Sequence, residues 1–162
     1  MISESDCYAA FYRWFEYLKS FNILTIGFVI MPNHFHGIFF IPHNCKKSIN
    51  QILSDGKRFL AYEIINKLQI LKKTNILEEL NKATTLRERH AGKRHRVFKT
   101  SSDIKEIYDH EMLIKKLDYI HNNPCKGKWL LVDDFRLYRY SSAAFYELNS
   151  ENEYIIDYRI IG

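Results

Sequence analysis

A β-hairpin between residues 22 and 41 is the feature that most constrains the fold of this 162-residue chain. Residues 22 to 31 are largely apolar and of strand length, and the turn signal Met31-Pro32-Asn33 closes them. A second apolar run, HFHGIFFI, fills residues 34 to 41 and ends at Pro42. Because proline has no backbone N–H to give to a sheet and favours turns, we predict two antiparallel strands joined at residues 31 to 33.

Helix patterns flank the hairpin on both sides. Residues 4 to 19 carry aromatic residues and leucine at helical spacing, and Ser48 is the expected N-cap of a helix over residues 49 to 70. Residues 109 to 121 show the same period and end before Pro124, because a proline disfavours helix in the residue before it.

The remaining segments carry weaker patterns. Residues 71 to 96 are polar, with a helix expected over residues 74 to 83 and a basic loop after it. A short strand is expected near Val97-Phe98, and residues 129 to 146 are expected to be irregular. This order of elements predicts an α+β protein in which helices pack mainly on one face of an antiparallel sheet.

Length and charge indicate the organisation of the chain. We predict a single domain over residues 1 to 162, with residues 71 to 96 as a polar and basic insertion. The net charge of +5 and the pI near 9.0 are compatible with a polyanionic partner. Residues 87 to 99, RERHAGKRHRVFK, concentrate positive charge, and they are either a nucleic-acid contact surface or a solvated loop.

Cysteine spacing and apolar run lengths predict a cytoplasmic protein. The three cysteines form no CxxC pair, which argues against a disulfide framework or a zinc ribbon and for a reducing compartment. The first residues lack the pattern of a secretory signal peptide. The longest apolar run, residues 23 to 31, is too short to span a bilayer, so we expect no membrane partner.

Two histidines stand on either side of Phe35 at the start of the second predicted strand. Side chains alternate between the faces of a strand, so His34 and His36 point the same way and Phe35 points towards a core. Such a pair either shares a divalent metal or is structural. A third ligand is open between His43 and Asn123, whose amide oxygen suits a hard cation such as Mg²⁺ or Mn²⁺.

A tyrosine lies on the polar side of the predicted helix over residues 109 to 121. Helical geometry puts Tyr119 beside Lys115 and Lys116 on one side and beside Asn122 and Asn123 on the other. A phenol in that setting suits nucleophilic attack on a phosphate, and nearby positive charge or a metal helps because the phenol pKa is ordinarily near 10. The alternative is an interfacial tyrosine with a hydrated hydroxyl.

Several of these stretches together resemble a known family. GFVIMPNHFHGIFF resembles the strand–turn–strand of the REP-associated tyrosine transposases, which are single-tyrosine HUH nucleases. KLDYIHNNPCKGKW resembles their tyrosine helix, and RLYRYSSAAFY is similar to their segment with two serines. FKTSSDIKEIYDHE lies where the family has a strand and turn before the tyrosine helix. The resemblance runs from about residue 5 to residue 146.

The resemblance implies a fold and an activity. The fold is a ferredoxin-like antiparallel sheet. His34, His36 and Asn123 hold one Mg²⁺ or Mn²⁺, and Tyr119 cleaves single-stranded DNA with a hairpin, leaving a 5′-phosphotyrosine and a free 3′-hydroxyl. The protein acts as a monomer or homodimer in the bacterial cytoplasm and nucleoid. DNA contacts are expected from basic residues of several segments: Lys57, Arg58, Arg94, Arg96, Lys115 and Lys116.

The chain departs from the family at its start. Family members begin with a strand before the first helix, whereas this sequence begins directly at the predicted helix. In the family fold that strand lies beside the histidine strand, so its absence predicts an open sheet edge there with unpaired backbone donors, unless another segment such as the C-terminal YIIDYRII fills it. The alternatives to an active enzyme are therefore a truncated, catalytically inactive DNA-binding remnant and a structural protein with an incidental HxH.

Overall fold

The computed structural model describes residues 1–127 and 129–161. Within them the protein is α+β, as predicted, with a two-stranded antiparallel sheet and seven α-helices. The strands are β1 (Leu24–Ile30) and β2 (Phe35–Phe40). The helices are α1 (Ile2–Ser5), α2 (Tyr8–Lys19), α3 (Ile49–Ile70), α4 (Thr74–Lys82), α5 (Leu86–His90), α6 (His110–His121) and α7 (Ala143–Leu148).

The chain divides into two compact units. The helical unit contains residues 1–14 and 48–104, and the hairpin unit contains residues 15–47 and the described residues from Lys105 onward. The hairpin unit holds the sheet together with α6 and α7, whereas the helical unit holds α1, α3, α4 and α5. A single domain over residues 1 to 162 and an insertion at residues 71 to 96 stay predictions from the sequence.

The hairpin forms where the apolar runs and the proline turn predict it. β1 and β2 pair antiparallel, and Val29 lies opposite His36 in their register. The Met31 N–H donates to the His34 carbonyl over 2.9 Å, which closes the turn at the predicted residues. β1 is buried along nearly all of its length, whereas in β2 only Ile38 is buried. The hairpin prediction is therefore confirmed.

The edge of β1 that faces away from β2 is covered by the segment around Ser142. The Ile30 N–H donates to the Tyr140 carbonyl over 2.8 Å, and the Ser142 N–H donates to the Phe28 carbonyl over 2.9 Å. Three hydroxyls then bind alternate carbonyls of β1. They are Tyr138 to Ile30 (3.0 Å), Ser142 to Phe28 (3.2 Å) and Tyr146 to Ile26 (2.7 Å).

This covered edge belongs to β1, whereas the family resemblance places the missing strand beside the histidine strand β2, so the predicted open edge stays a prediction. On this edge of β1 the Ile30 and Phe28 backbone groups and the Ile26 carbonyl are met by residues 138–146, through both main chain and hydroxyls. The C-terminal segment adds one bond, from the Ile156 N–H to the Thr25 carbonyl over 3.0 Å. Another segment therefore fills this edge, and YIIDYRII makes the smaller contribution to it.

Helix α6 packs directly on the sheet. Leu117 and Ile120 are buried in one apolar cluster with Ile26 and Val29 of β1 and Ile38 of β2. The glycine in β1 allows this close approach, because a Cβ at Gly27 would lie 2.4 Å from Leu117 Cδ2. The inward residues of α6 are thus two of the three that helical spacing predicts, and the third, Leu113, packs at the margin of the cluster.

In the helical unit, α3 begins and ends where the sequence predicts. The Ser48 hydroxyl accepts from the Gln51 N–H, and the Gln51 side chain accepts from the Ser48 N–H, so that a capping box starts the helix. Ile52, Leu60 and Ile64 lie on its buried side. The helix expected over residues 74 to 83 is also confirmed, as α4.

Three local predictions are wrong. Residues 4 to 19 form no continuous helix, because Asp6 adopts a left-handed conformation with φ of 49° and ends α1 before α2 starts. Val97-Phe98 forms no strand, and the carbonyls of residues 99–101 bind the Lys57 ammonium instead of a neighbouring strand. Residues 129 to 146 are not irregular throughout, since α7 begins at Ala143.

Candidate metal and nucleophile site

The two histidines lie side by side at the start of β2. The ring centroids of His34 and His36 are 5.0 Å apart, with the rings at 88° to each other. Phe35 instead contacts the rings of Phe15 and Phe39. Strand alternation therefore has the effect that the sequence predicts, because it separates the imidazoles from the intervening phenylalanine.

A neighbouring amide and partial burial prepare His34 to act as a ligand. Its Nδ1 lies 2.6 Å from Asn33 Oδ1. An amide oxygen only accepts hydrogen bonds, so Nδ1 carries the hydrogen and Nε2 keeps its lone pair. Burial lowers the pKa of His34, which favours the neutral imidazole that binds a metal.

Helix α6 brings Tyr119 to the same place. The ring centroids of Tyr119 and His36 are 5.9 Å apart, with the rings at 86°. Tyr119 is 56% exposed, so its hydroxyl is accessible to a large substrate. The structure thus brings together His34, His36 and Tyr119, three of the four residues predicted for metal binding and catalysis. Tyr119 lies 83 residues after His36 in the sequence.

The polar groups near Tyr119 are engaged locally. The Lys115 ammonium donates to the Glu111 carboxylate one turn earlier, which partly neutralises its charge. The Asn122 amide donates to the Asp118 carbonyl at the end of α6. Lys116 is half-buried on the same helix. Lys115 and Asn122, which helical spacing places beside Tyr119, therefore also serve the helix itself.

Asn123 follows α6 in a short 3₁₀ turn. Its Nδ2 donates to the carbonyl of Tyr119 over 3.0 Å and to that of Ile120 over 3.4 Å. These bonds engage the nitrogen end of the amide and hold the side chain near the tyrosine's backbone. Oδ1 is the end of the amide that can serve a cation. The other candidate third ligand, His43, lies exposed in the turn after β2.

The donor set fits a divalent metal in its chemistry. Two imidazoles and an amide oxygen are ligands that Mn²⁺ accepts, and Mg²⁺ accepts the oxygen. Among residues 1–127 and 129–161 no group of three or more His, Cys, Asp or Glu side chains is arranged to hold a metal ion. Asn123 or water therefore has to complete the coordination of any metal at His34 and His36.

The end of α6 is tied to β1 by two residues to which the sequence reasoning gave no role. His121 Nε2 lies 2.8 Å from Ser142 Oγ, and that oxygen also accepts from the Phe28 N–H over 2.9 Å. Burial lowers the pKa of His121 to about 4. Both residues belong to the two stretches that resemble the transposase family, KLDYIHNNPCKGKW and RLYRYSSAAFY, so their presence there could have singled them out.

The six residues predicted to contact DNA lie in both units. Lys57 is committed to the fold, since its ammonium donates to the three carbonyls of residues 99–101 at 2.8–3.1 Å and has no further hydrogens. Arg58 is exposed and pairs with Asp55. Arg96 donates to the Thr100 hydroxyl over 3.2 Å. The remaining three are Arg94, in the helical unit, and Lys115 and Lys116 on α6.

The basic run forms part of a shallow, open pocket in the helical unit. Asn81, Arg89, Gly92, Lys93 and Arg94 line it. Arg94 is exposed and its carbonyl accepts from the Asn81 amide, which ties the loop to α4 and leaves the guanidinium facing outward. Within the same segment Lys93 and Arg96 pair with the Glu88 carboxylate, so part of its positive charge is balanced locally.

Comparisons of the chain with protein-family models, with curated proteins and with solved structures found no match. Among the helices formed by the described residues, none has the length and apolar character needed to cross a lipid bilayer.

Proposed function

We propose that this protein is a metal-dependent transposase of the REP-associated tyrosine type, which binds hairpin-containing single-stranded DNA and cleaves and rejoins it in the bacterial cytoplasm. The observation that carries the proposal is the contact between His36 and Tyr119, whose ring centroids are 5.9 Å apart. A buried pair of this kind would have an ordinary packing role, but Tyr119 is 56% exposed and His36 has a second imidazole beside it. An accessible phenol next to two imidazoles suits phosphoryl transfer.

Each residue has a task in this reaction. His34, His36 and Asn123 would hold Mg²⁺ or Mn²⁺, which when bound polarises the scissile phosphate and stabilises its developing charge. Neutral His34, with Nδ1–H held by Asn33, presents Nε2 as a ligand. The exposed side of Tyr119 leaves room for an extended single strand.

The phenol of Tyr119 then acts as the nucleophile. Its oxygen loses its proton to water and forms a bond to the phosphorus, while the bond from phosphorus to the 3′ oxygen breaks. The 3′ oxygen takes up a proton from water and leaves as a hydroxyl, and the 5′ phosphate stays on the tyrosine. Attack by another 3′-hydroxyl reverses the step and rejoins the strands. The phosphotyrosine conserves the bond energy, so the reaction needs no nucleotide cofactor.

The basic surface of the helical unit supports the DNA part of the proposal. The run of residues 87 to 99 and the pocket lined by Arg89, Lys93 and Arg94 suit a phosphate backbone. Lys57 is not part of this surface, because its ammonium is occupied by carbonyls.

An inactive DNA-binding remnant is the second candidate. The described residues lack a carboxylate or cysteine that would join His34 and His36 as a third ligand. Lys115, which would otherwise favour an ionised phenol, pairs with Glu111. A remnant would keep the basic surface and bind hairpin DNA without cleaving it.

A covalent-adduct assay separates the two candidates. Labelled single-stranded hairpins from the flanks of the gene are mixed with the protein and Mn²⁺ and run on denaturing gels. If the protein is the proposed enzyme, we expect a covalent protein–DNA band that is lost with EDTA and in Tyr119→Phe. Tyr108→Phe is the matched control, because Tyr108 is a tyrosine of the same unit, is 80% exposed and lies outside α6. A band that survives in Tyr119→Phe would refute the assigned nucleophile, and retained gel shifts without any band would identify the remnant.

Thermal shift measures the metal site independently of DNA. A metal present at about 100 times its dissociation constant stabilises a folded protein by about 2.7 kcal/mol. We expect Mn²⁺ to raise the melting temperature of the native protein and of His43→Ala, and to have no effect on the double variant of His34 and His36 to alanine. Equal shifts in all three proteins would place metal binding elsewhere.

A further inference from the structure

We infer that His121 and Ser142 are positioning residues that hold Tyr119 over the histidine pair, an inference that rests on the proposed function. The two residues form a buried link between the last turn of α6 and the middle of β1. Ser142 is fully buried and His121 is 2% exposed.

The hydroxyl of Ser142 uses its whole hydrogen-bonding capacity in this link. It accepts from the Phe28 N–H over 2.9 Å and donates to the Phe28 carbonyl over 3.2 Å. A hydroxyl has one donor and two acceptor positions, so the remaining acceptor position meets His121 Nε2 at 2.8 Å. All three hydrogen bonds of the Ser142 hydroxyl form together when His121 Nε2 carries a hydrogen and donates it to Ser142 Oγ.

The link closes a ring of contacts around the site. Phe28 is followed on β1 by Val29, which lies opposite His36 in the hairpin register. His121 follows Tyr119 by two residues on α6. The ring runs from Tyr119 along α6, through His121 to β1, and across to β2 and His36, where the 5.9 Å ring contact closes it.

Apolar packing alone does not fix this arrangement. Leu117 and Ile120 press α6 onto the sheet, but the hydrophobic effect is non-directional and tolerates small slides and rotations of a helix. A hydrogen bond depends steeply on distance and angle, and a buried network is strengthened by its low-dielectric surroundings. The bond between His121 and Ser142 therefore sets where α6 stops along β1.

Positioning predicts a loss of rate without a loss of binding. A displacement of about 1 Å of a reacting group costs on the order of 100-fold in rate. We expect Ser142→Ala and His121→Leu to lower the single-turnover rate of the covalent adduct by roughly 10- to 100-fold at saturating Mn²⁺, with unchanged affinity for the hairpin. His121→Gln keeps an N–H donor near Ser142 and should recover most of the rate.

A matched control separates positioning from stability. Tyr138→Phe removes another buried hydroxyl bond from the same segment to β1, from Tyr138 to the Ile30 carbonyl over 3.0 Å, and leaves His121 and Ser142 unchanged. It should lower the melting temperature about as much as Ser142→Ala and leave the adduct rate unchanged. Equal rate losses in Tyr138→Phe and Ser142→Ala would overturn the inference.

A second readout needs no DNA and keeps the test independent of the proposed activity. The nuclear Overhauser effect between the ring protons of His36 and Tyr119 reports their contact directly. It should persist in the native protein and in Tyr138→Phe, and weaken in Ser142→Ala and His121→Leu. A native protein that shows the effect but forms no adduct would count against the proposed function alone. An unchanged effect in Ser142→Ala would overturn the positioning role.

Discussion

Replacing Gly27 with alanine tests how closely α6 has to pack on β1. The added Cβ would lie 2.4 Å from Leu117 Cδ2, about 1 Å short of the 3.4 Å at which ordinary contact begins. Leu117 is 4% exposed, so it has little free space to move into. Alanine in a strand would otherwise be favoured over glycine by roughly 0.5–1 kcal/mol. Overpacking costs about 1–3 kcal/mol, so we expect a net destabilisation of up to about 2.5 kcal/mol.

A double-mutant cycle attributes this cost to the contact. Leu117→Ala alone removes buried methyl groups and should cost about 2–5 kcal/mol. In the double variant the methyl group of the alanine at position 27 occupies the space that the Leu117 side chain vacates. The overpacking cost of Gly27→Ala therefore disappears. The double variant should therefore be more stable than the sum of the two single effects predicts, by at least about 1 kcal/mol.

Urea denaturation of the four proteins measures each free energy of unfolding. Gly92→Ala is the control, because a Cβ there meets no atom within 4 Å and its cost comes from the φ of +80° alone. That cost should add to the cost of Leu117→Ala without coupling. Additive effects of Gly27→Ala and Leu117→Ala would refute the packing argument. Since α6 carries Tyr119, Gly27→Ala should also slow adduct formation.

Three further predictions concern His121, Lys57 and Arg94. Burial lowers the pKa of His121 to about 4, whereas the pKa of an unfolded histidine is near 6.5. As the pH drops, the unfolded chain therefore binds the proton before the folded protein does. The free energy of unfolding should fall as the pH drops from about 6.5 to 4. This loss of folding free energy is at most about 3 kcal/mol. Urea titrations at several pH values should show the loss in the control variant His43→Gln and not in His121→Gln. Lys57→Met breaks the bonds to the carbonyls of residues 99–101, so it should raise amide exchange there and leave the salt dependence of DNA binding unchanged. Arg94→Ala should lower the slope of log affinity against log salt by about 1, measured by fluorescence anisotropy, and equal slopes in both variants would contradict the assignment.

Local chemistry in the sequence predicts much of the secondary structure. The proline turn and the two apolar runs predict the hairpin, because strand alternation and turn preference act between near neighbours. Ser48 predicts the start of α3 for the same reason, since a capping box involves residues three apart. The pairing of His34 with His36 also follows from residues two positions apart. Each of these features depends on interactions within a few residues.

Tertiary structure alone decided how the parts meet. The contact of Tyr119 with His36 joins residues 83 positions apart, and the link from His121 to Ser142 requires α6, β1 and a later segment to be folded together. The covering of the β1 edge by hydroxyls of residues 138–146 leaves no periodic pattern in the sequence. The occupation of Lys57 by carbonyls is equally invisible there, since nothing local separates a lysine that binds the chain's own backbone from one that binds phosphate. These contacts form only when burial removes the polar groups from water and each must find a partner across the fold.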